Sequence, residues 1–115
     1  MIIGDNMDTI SFEDWQKLDI RVGTIIEVKL HPDADKLYIL KIDEGKEQPR
    51  QLVAGLKEHY TAEELKGKQI VFLANLEPKE LRGELSQGMI LAASDENTIA
   101  VLTIDKQVAN NSKIS

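Results

Sequence analysis

Thr61-Ala62-Glu63-Glu64-Leu65-Lys66-Gly67-Lys68-Gln69-Ile70-Val71-Phe72-Leu73-Ala74 sets one short helix directly before one apolar strand. Thr61 followed three residues later by Glu64 has capping-box spacing, in which each side chain satisfies a backbone N–H of the other residue. Gly67 stops the helix. Gln69 to Ala74 then runs as a continuous apolar strand around Ile70-Val71-Phe72-Leu73. Where this helix falls among the strands decides the architecture.

Upstream, Arg21 to Leu30 is expected as a strand, with Val22, Thr24, Ile26 and Val28 alternating against Arg21, Gly23, Ile25 and Glu27. His31-Pro32-Asp33-Ala34-Asp35-Lys36 breaks it, because proline cannot donate to a ladder and aspartate favours turns. Leu37 to Asp43 is a second strand, with Tyr38, Leu40 and Ile42 on one side. A turn over Glu44-Gly45-Lys46-Glu47-Gln48-Pro49 leads to a short third strand, Gln51 to Ala54, giving a meander. Farther upstream, Ser11 caps a short helix to Leu18, with Glu13 and Asp14 at the positive end of its dipole. Downstream, a polar loop from Asn75 to Gln87 precedes a fifth strand, Met89 to Ala93. Ile99 to Thr103 is one more short strand, within a C-terminal extension.

Three strands, a small helix and two strands is the order of an OB-fold, an all-β five-stranded Greek-key barrel with its helix between strands three and four. The whole chain, 1–115, is expected to be one domain, with an N-terminal extension over 1–16 and a C-terminal one over 95–115. OB-folds commonly bind oligonucleotides or oligosaccharides, but a fold does not state a function.

Composition narrows the classes. A hydrophobic fraction of 42% over 115 residues is enough for a core. With no cysteine there is no disulfide framework, thiolate metal site or thiol nucleophile, which suits a reducing cytoplasm. No apolar run approaches the ~20 residues of a membrane span, and Met1-Ile2-Ile3-Gly4-Asp5 lacks the features of a signal peptide. The expectation is a cytoplasmic protein with no membrane partner. Net charge is −6, which by itself argues against nucleic acid. The acid is unevenly placed, however. Asp5, Asp8, Glu13 and Asp14 fall in 1–16 without a single Lys or Arg, so the remainder is near neutral and can present a basic face.

No constellation points to catalysis. Ser86 lies in Gly83-Glu84-Leu85-Ser86-Gln87-Gly88, which lacks the glycine two residues before the serine that a nucleophile elbow needs. Ser86 reads more simply as a turn cap, with Gly88 allowing positive φ. His31, Asp33 and Asp35 alternate as metal ligands might in an extended segment, but Pro32 and the turn residues undercut that geometry. The two aspartates are expected to bond nearby backbone N–H groups and fix a tight loop. Neither a metal nor a cofactor is expected. The aromatics are Phe12, Trp15, Tyr38, Tyr60 and Phe72. Core packing is expected of Phe12, Trp15 and Phe72, leaving Tyr38 and Tyr60 as stacking candidates. So few rings suit recognition of folded RNA by shape better than stacking on single strands.

Five segments carry a resemblance: Leu18-Asp19-Ile20-Arg21-Val22-Gly23, His31-Pro32-Asp33-Ala34-Asp35-Lys36-Leu37, Leu52-Val53-Ala54-Gly55-Leu56, Ala74 through Gly83, and Ser86 through Ala93. In this order they resemble the tRNA-binding domain appended to methionyl-tRNA synthetases, which also occurs in tyrosyl-tRNA synthetase extensions and in free-standing structure-specific tRNA-binding proteins. The resemblance implies a homodimer of OB-folds that grips the outer corner of tRNA, built partly from the terminal extensions, with an aminoacyl-tRNA synthetase as a partner. It is nearest to the free-standing or β-subunit form associated with methionyl-tRNA synthetase. Carried over residue by residue, it implicates Asn75, Lys79, Arg82, Ser86 and Met89 in RNA contact, with Lys36 nearby. Lys36, Lys79 and Arg82 could neutralise phosphates, while Asn75 and Ser86 could donate to phosphate or ribose oxygens. Against this, Lys79 and Arg82 could be solvated partners of Glu77, Glu80 and Glu84, and Met89 could be core. A runner-up reading is a secretion chaperone of the CsaA-like branch, which shares the fold and binds unfolded polypeptide in a dimer groove. The His-Pro-Asp-Ala-Asp-Lys-Leu loop and the Ser-x-Gly-Met turn favour tRNA over polypeptide.

Overall fold

The structure is a computed structural model that describes residues 8–115. Residues 1–7 of the acidic N-terminal extension, Asp5 among them, lie outside the described residues. The strand β1 (Ile20–Leu30) organises the barrel because its eleven residues serve two partners. Its first half, Ile20 to Thr24, pairs with β4 (Gln69–Leu73), and its second half, Thr24 to Leu30, pairs with β2 (Tyr38–Asp43). β3 (Arg50–Ala54) pairs with β2, and β7 (Met89–Ile90) pairs with β4. All pairs are antiparallel, in the order β3-β2-β1-β4-β7, which is a nearly closed five-stranded OB-type barrel.

To feed both neighbours β1 must bend, and two residues make that possible. Gly23 faces Ile42 and Phe72 so closely that an added Cβ would collide with the Ile42 methyl. A bulge at Ile26 shifts the register between Ile25 and Glu27. The expected alternation of Val22, Thr24, Ile26 and Val28 is therefore corrected. Ile25 points into the core on the same face as Gly23 and Ile26 points outward; the extra residue reverses the phase beyond it, so that Val28 packs against the core. The interior holds Ile25, Leu40, Ile42, Leu52, Ile70 and Phe72, all fully buried. Leu65 closes one end from α2 (Ala62–Leu65), whose Thr61–Glu64 capping box is formed in both directions.

The ends of the chain attach differently. Ser11 caps α1 (Phe12–Gln16), its hydroxyl accepting from the Asp14 N–H, and α1 buries none of its residues. Phe12 is 70% exposed, so neither it nor the half-buried Trp15 belongs to the core expected of it. Tyr38, in contrast, is buried and donates its hydroxyl to the Tyr60 carbonyl, so it is not a stacking platform. The Tyr60 hydroxyl accepts from the Val101 N–H. At the other end, residues 111–114 lie along the edge of β1 that β2 leaves open. Val22 N–H donates to Ser112, Asn111 N–H to Val22, and Ile114 N–H to Ile20.

The expected fifth strand over 89–93 is broken at Leu91. β7 belongs to the barrel, whereas β8 (Ala92–Ser94) pairs with β9 (Ile99–Val101) in a separate hairpin. The expected polar loop over 75–87 is likewise partly strand. β5 (Lys79–Leu81) and β6 (Glu84–Ser86) form a hairpin with Arg82-Gly83 at its turn. Both turn residues have positive φ, 55° and 90°, as a tight two-residue hairpin requires.

Candidate nucleic-acid interface

In an OB-fold, the loops after the first and fourth strands commonly form the mouth where oligonucleotides bind. Here those are the 31–37 loop and the segment carrying the β5–β6 hairpin. One buried side chain ties them together. His31 accepts the Asp33 N–H at Nδ1 (3.0 Å), so its proton sits on Nε2, which donates to the Leu81 carbonyl at 2.9 Å. The imidazole thus locks its own loop and pins the hairpin next to its turn. No hydrogen bond from the Asp33 or Asp35 carboxylates fixes the loop among the described residues; that expected lock is made by His31 instead. With both ring nitrogens committed, His31 is spent as a structural group.

The consequence is a cleft of about 360 Å³ lined by Ala34, Asp35, Lys36, Leu37 and Arg82. It brings Lys36 and Arg82 together across 46 residues of sequence. Lys36, Lys79 and Arg82 are all exposed, and none makes an ion pair among the described residues. Glu84, the carboxylate on the strand opposite, accepts from the Gln51 side chain instead. The reading of Lys79 and Arg82 as partners of Glu77, Glu80 and Glu84 therefore has no contact behind it. A cation that sequence reasoning missed is Lys57. It is exposed, and its N–H donates to the Lys36 carbonyl. Only the chain reversal after β3 sets it there, and no local motif signals that.

Three other residues named from sequence are differently employed. Asn75 accepts the Asp19 N–H at 2.9 Å and donates to the Lys17 carbonyl at 2.7 Å, joining the segment after β4 to the end of α1. Ser86 is 5% exposed; its Oγ accepts from Val53 N–H and donates to the Gly88 carbonyl. Its hydroxyl holds the turn into β7 and is not free to face a ligand. Met89 is about half exposed and lines an apolar groove of about 440 Å³ with Leu56, Leu76, Leu81 and Ile90, which has Lys79 and Glu77 at its margin. The groove and the cleft are linked by the hairpin: Lys79 and Leu81 on β5 line the groove, and Arg82 at the turn lines the cleft.

The region from residue 20 to 113 matches the family described as "Putative tRNA binding domain". The chain is 58% identical over 108 residues to the methionine–tRNA ligase of Pyrococcus horikoshii, an alignment that takes in 94% of this chain and 15% of the relative. It thus spans about 15% of the length of such curated relatives. Among solved structures, the MetRS related protein from Pyrococcus horikoshii superposes with a TM-score of 0.87 at 27% identity, covering 95% of this chain and 100% of that one. The chaperone CsaA from Bacillus anthracis superposes with a TM-score of 0.83 at 31% identity, covering 93% and 99%. With barrel, loops and family match in agreement, this chain belongs to the tRNA-binding domain family.

Proposed function

We propose that this chain binds folded tRNA as a homodimer and serves as an accessory or β-subunit-like module for methionyl-tRNA synthetase in the cytoplasm. The observation that carries the reading is a set of exposed cations without carboxylate partners among the described residues: Lys36 and Arg82 in the cleft where the 31–37 loop meets the hairpin, and Lys79 on the hairpin itself. Such groups neutralise phosphates and fix register without reading sequence, which suits recognition of RNA shape. In this proposal Lys36, Lys79 and Arg82 contact phosphate and Met89 offers an apolar contact beside them. Asn75 and Ser86 act by holding the loop in place. The homodimer is supported by the arm ahead of the barrel, where Ile10, just before the helix cap, and Phe12, on a helix with no buried residue, are exposed large apolar side chains. The net charge of −6, with Glu77 and Glu80 close to the cluster, keeps independent affinity modest. Attachment to a synthetase compensates by raising the effective concentration.

The apolar groove favours one competing reading, an unfolded polypeptide as ligand, as the name of the CsaA neighbour suggests. A titration against folded tRNA at several salt concentrations, with unstructured RNA and an unfolded polypeptide as competitors, separates the two. Folded tRNA should win, with log affinity falling against log salt by about 0.7–0.9 per phosphate contact. If tRNA fails to bind at low salt while the polypeptide binds, the chaperone reading replaces this one.

A further inference from the structure

The hairpin that carries Lys79 and Arg82 stands on the barrel seam, where β3 and β7 do not share a ladder. Two consecutive residues of β3 hold it there. The Arg50 Nη1 donates both to the Ala74 carbonyl, where the segment leaves β4, and to the Gln87 carbonyl, where it returns. Its Nε donates to the buried Glu44 carboxylate at 3.0 Å, and its guanidinium lies over the Phe72 ring, 5.3 Å from the centroid. Gln51 exchanges bonds with Gln87 through backbone and side chain, and its amide donates to the Leu85 carbonyl at 2.8 Å. Lys41 orients that amide by donating to its oxygen at 2.7 Å. The segment from 75 to 87 is thus gripped at both ends by one planar fork and along its returning strand by one amide.

We infer that Arg50 and Gln51 are positioning residues for RNA binding: they set the hairpin cations in place by clamping the ends of the segment that carries them. This rests on the tRNA reading above. Lysine cannot replace arginine here, because a single ammonium cannot span two carbonyls and a carboxylate in the fork geometry.

A double-mutant cycle on the full chain tests this, with affinity for folded tRNA as the readout. Arg50→Lys is combined with Lys79→Ala plus Arg82→Ala. Gln51→Met goes through the same cycle, in case Arg50→Lys does not fold. Circular dichroism sets conditions in which every variant is folded. In the intact hairpin either clamp variant should weaken binding about tenfold. With the hairpin cations gone it should weaken binding less than about twofold, because the clamp acts through them. Amide exchange should quicken at 79–86 and stay unchanged in β1 and β4. Equal losses in both backgrounds, or unchanged affinity with unchanged exchange at the hairpin, would overturn the inference. If the native chain does not bind tRNA, or the paired alanine substitutions leave affinity untouched, the tRNA reading itself fails and takes the positioning role with it.

Discussion

His31 and Ser86 carry no charge to the interface, yet each holds part of it. Replacing His31 by alanine strips the Leu81 carbonyl and the Asp33 N–H of their buried partner. The cost should be about 1–3 kcal/mol, with tRNA affinity falling as well because Arg82 loses its fixed turn. Denaturant unfolding measures the first and a titration the second. Ser86→Ala should cost a similar ~1–3 kcal/mol by orphaning the Val53 N–H, which lies in the buried seam. If Ser86 touched RNA directly, that substitution would weaken binding in the fully folded protein. If it only holds the turn, affinity per folded molecule stays close to native. Of the site, the residue types were legible in the sequence, since Lys36, Lys79 and Arg82 sit in quotable motifs. The convergence of Lys36 and Arg82 was not, because it depends on a hydrogen bond between residues 50 apart. Nor was the burial of Ser86, whose partner lies 33 residues away.

Between elements, the legible parts are those with local causes. The capping box of α2 and the apolar run of β4 follow from neighbours in sequence. The bulge at Ile26, the break at Leu91 and the β5–β6 hairpin do not, since each answers to a partner strand. The hairpin is especially well hidden, because its turn sets Arg82 at φ 55°, where glycine or asparagine is the usual signal. At Gly23 element geometry has little slack. Gly23→Ala should destabilise by about 1–3 kcal/mol, since the new methyl meets Ile42 and Phe72 in a filled core. A lowered melting temperature without loss of strand content would record it. The β8–β9 hairpin supplies a pH test. Asp95 accepts the N–H groups of Asn97 and Thr98, which hold its carboxyl below the usual carboxylate range. The folded form binds this proton less readily than the unfolded chain. The stabilisation is therefore present above the ordinary value of 3.8 and is lost as pH falls through the depressed one. Amide exchange at 95–101 should quicken first on acidification, and Asp95→Asn, which keeps an acceptor oxygen, should remove that pH dependence.

For the whole molecule, the proposed function sets an acidic chain against an acidic ligand. One copy offers a few cations at a single mouth, against a net charge of −6. Two copies with their mouths on one surface would double the phosphate contacts, and the second contact would be intramolecular. The arm that would join them leaves Phe12 70% exposed and is tied to the barrel by Asn75, with its bonds to Lys17 and Asp19, and by the Ala74 N–H donating to the Asp19 carbonyl. Phe12 can therefore be changed with little effect on the fold. Phe12→Ser should leave unfolding within about 0.5 kcal/mol of native, as for other exposed positions. Sedimentation should then show dimer for the native chain and monomer for the variant at micromolar concentration. The tRNA affinity of the variant should drop by about tenfold or more, with a shallower salt dependence because half the phosphate contacts are gone. A native chain that sediments as monomer at these concentrations would remove the dimer. Tight tRNA binding by that monomer would then show that one mouth suffices despite the acid around it.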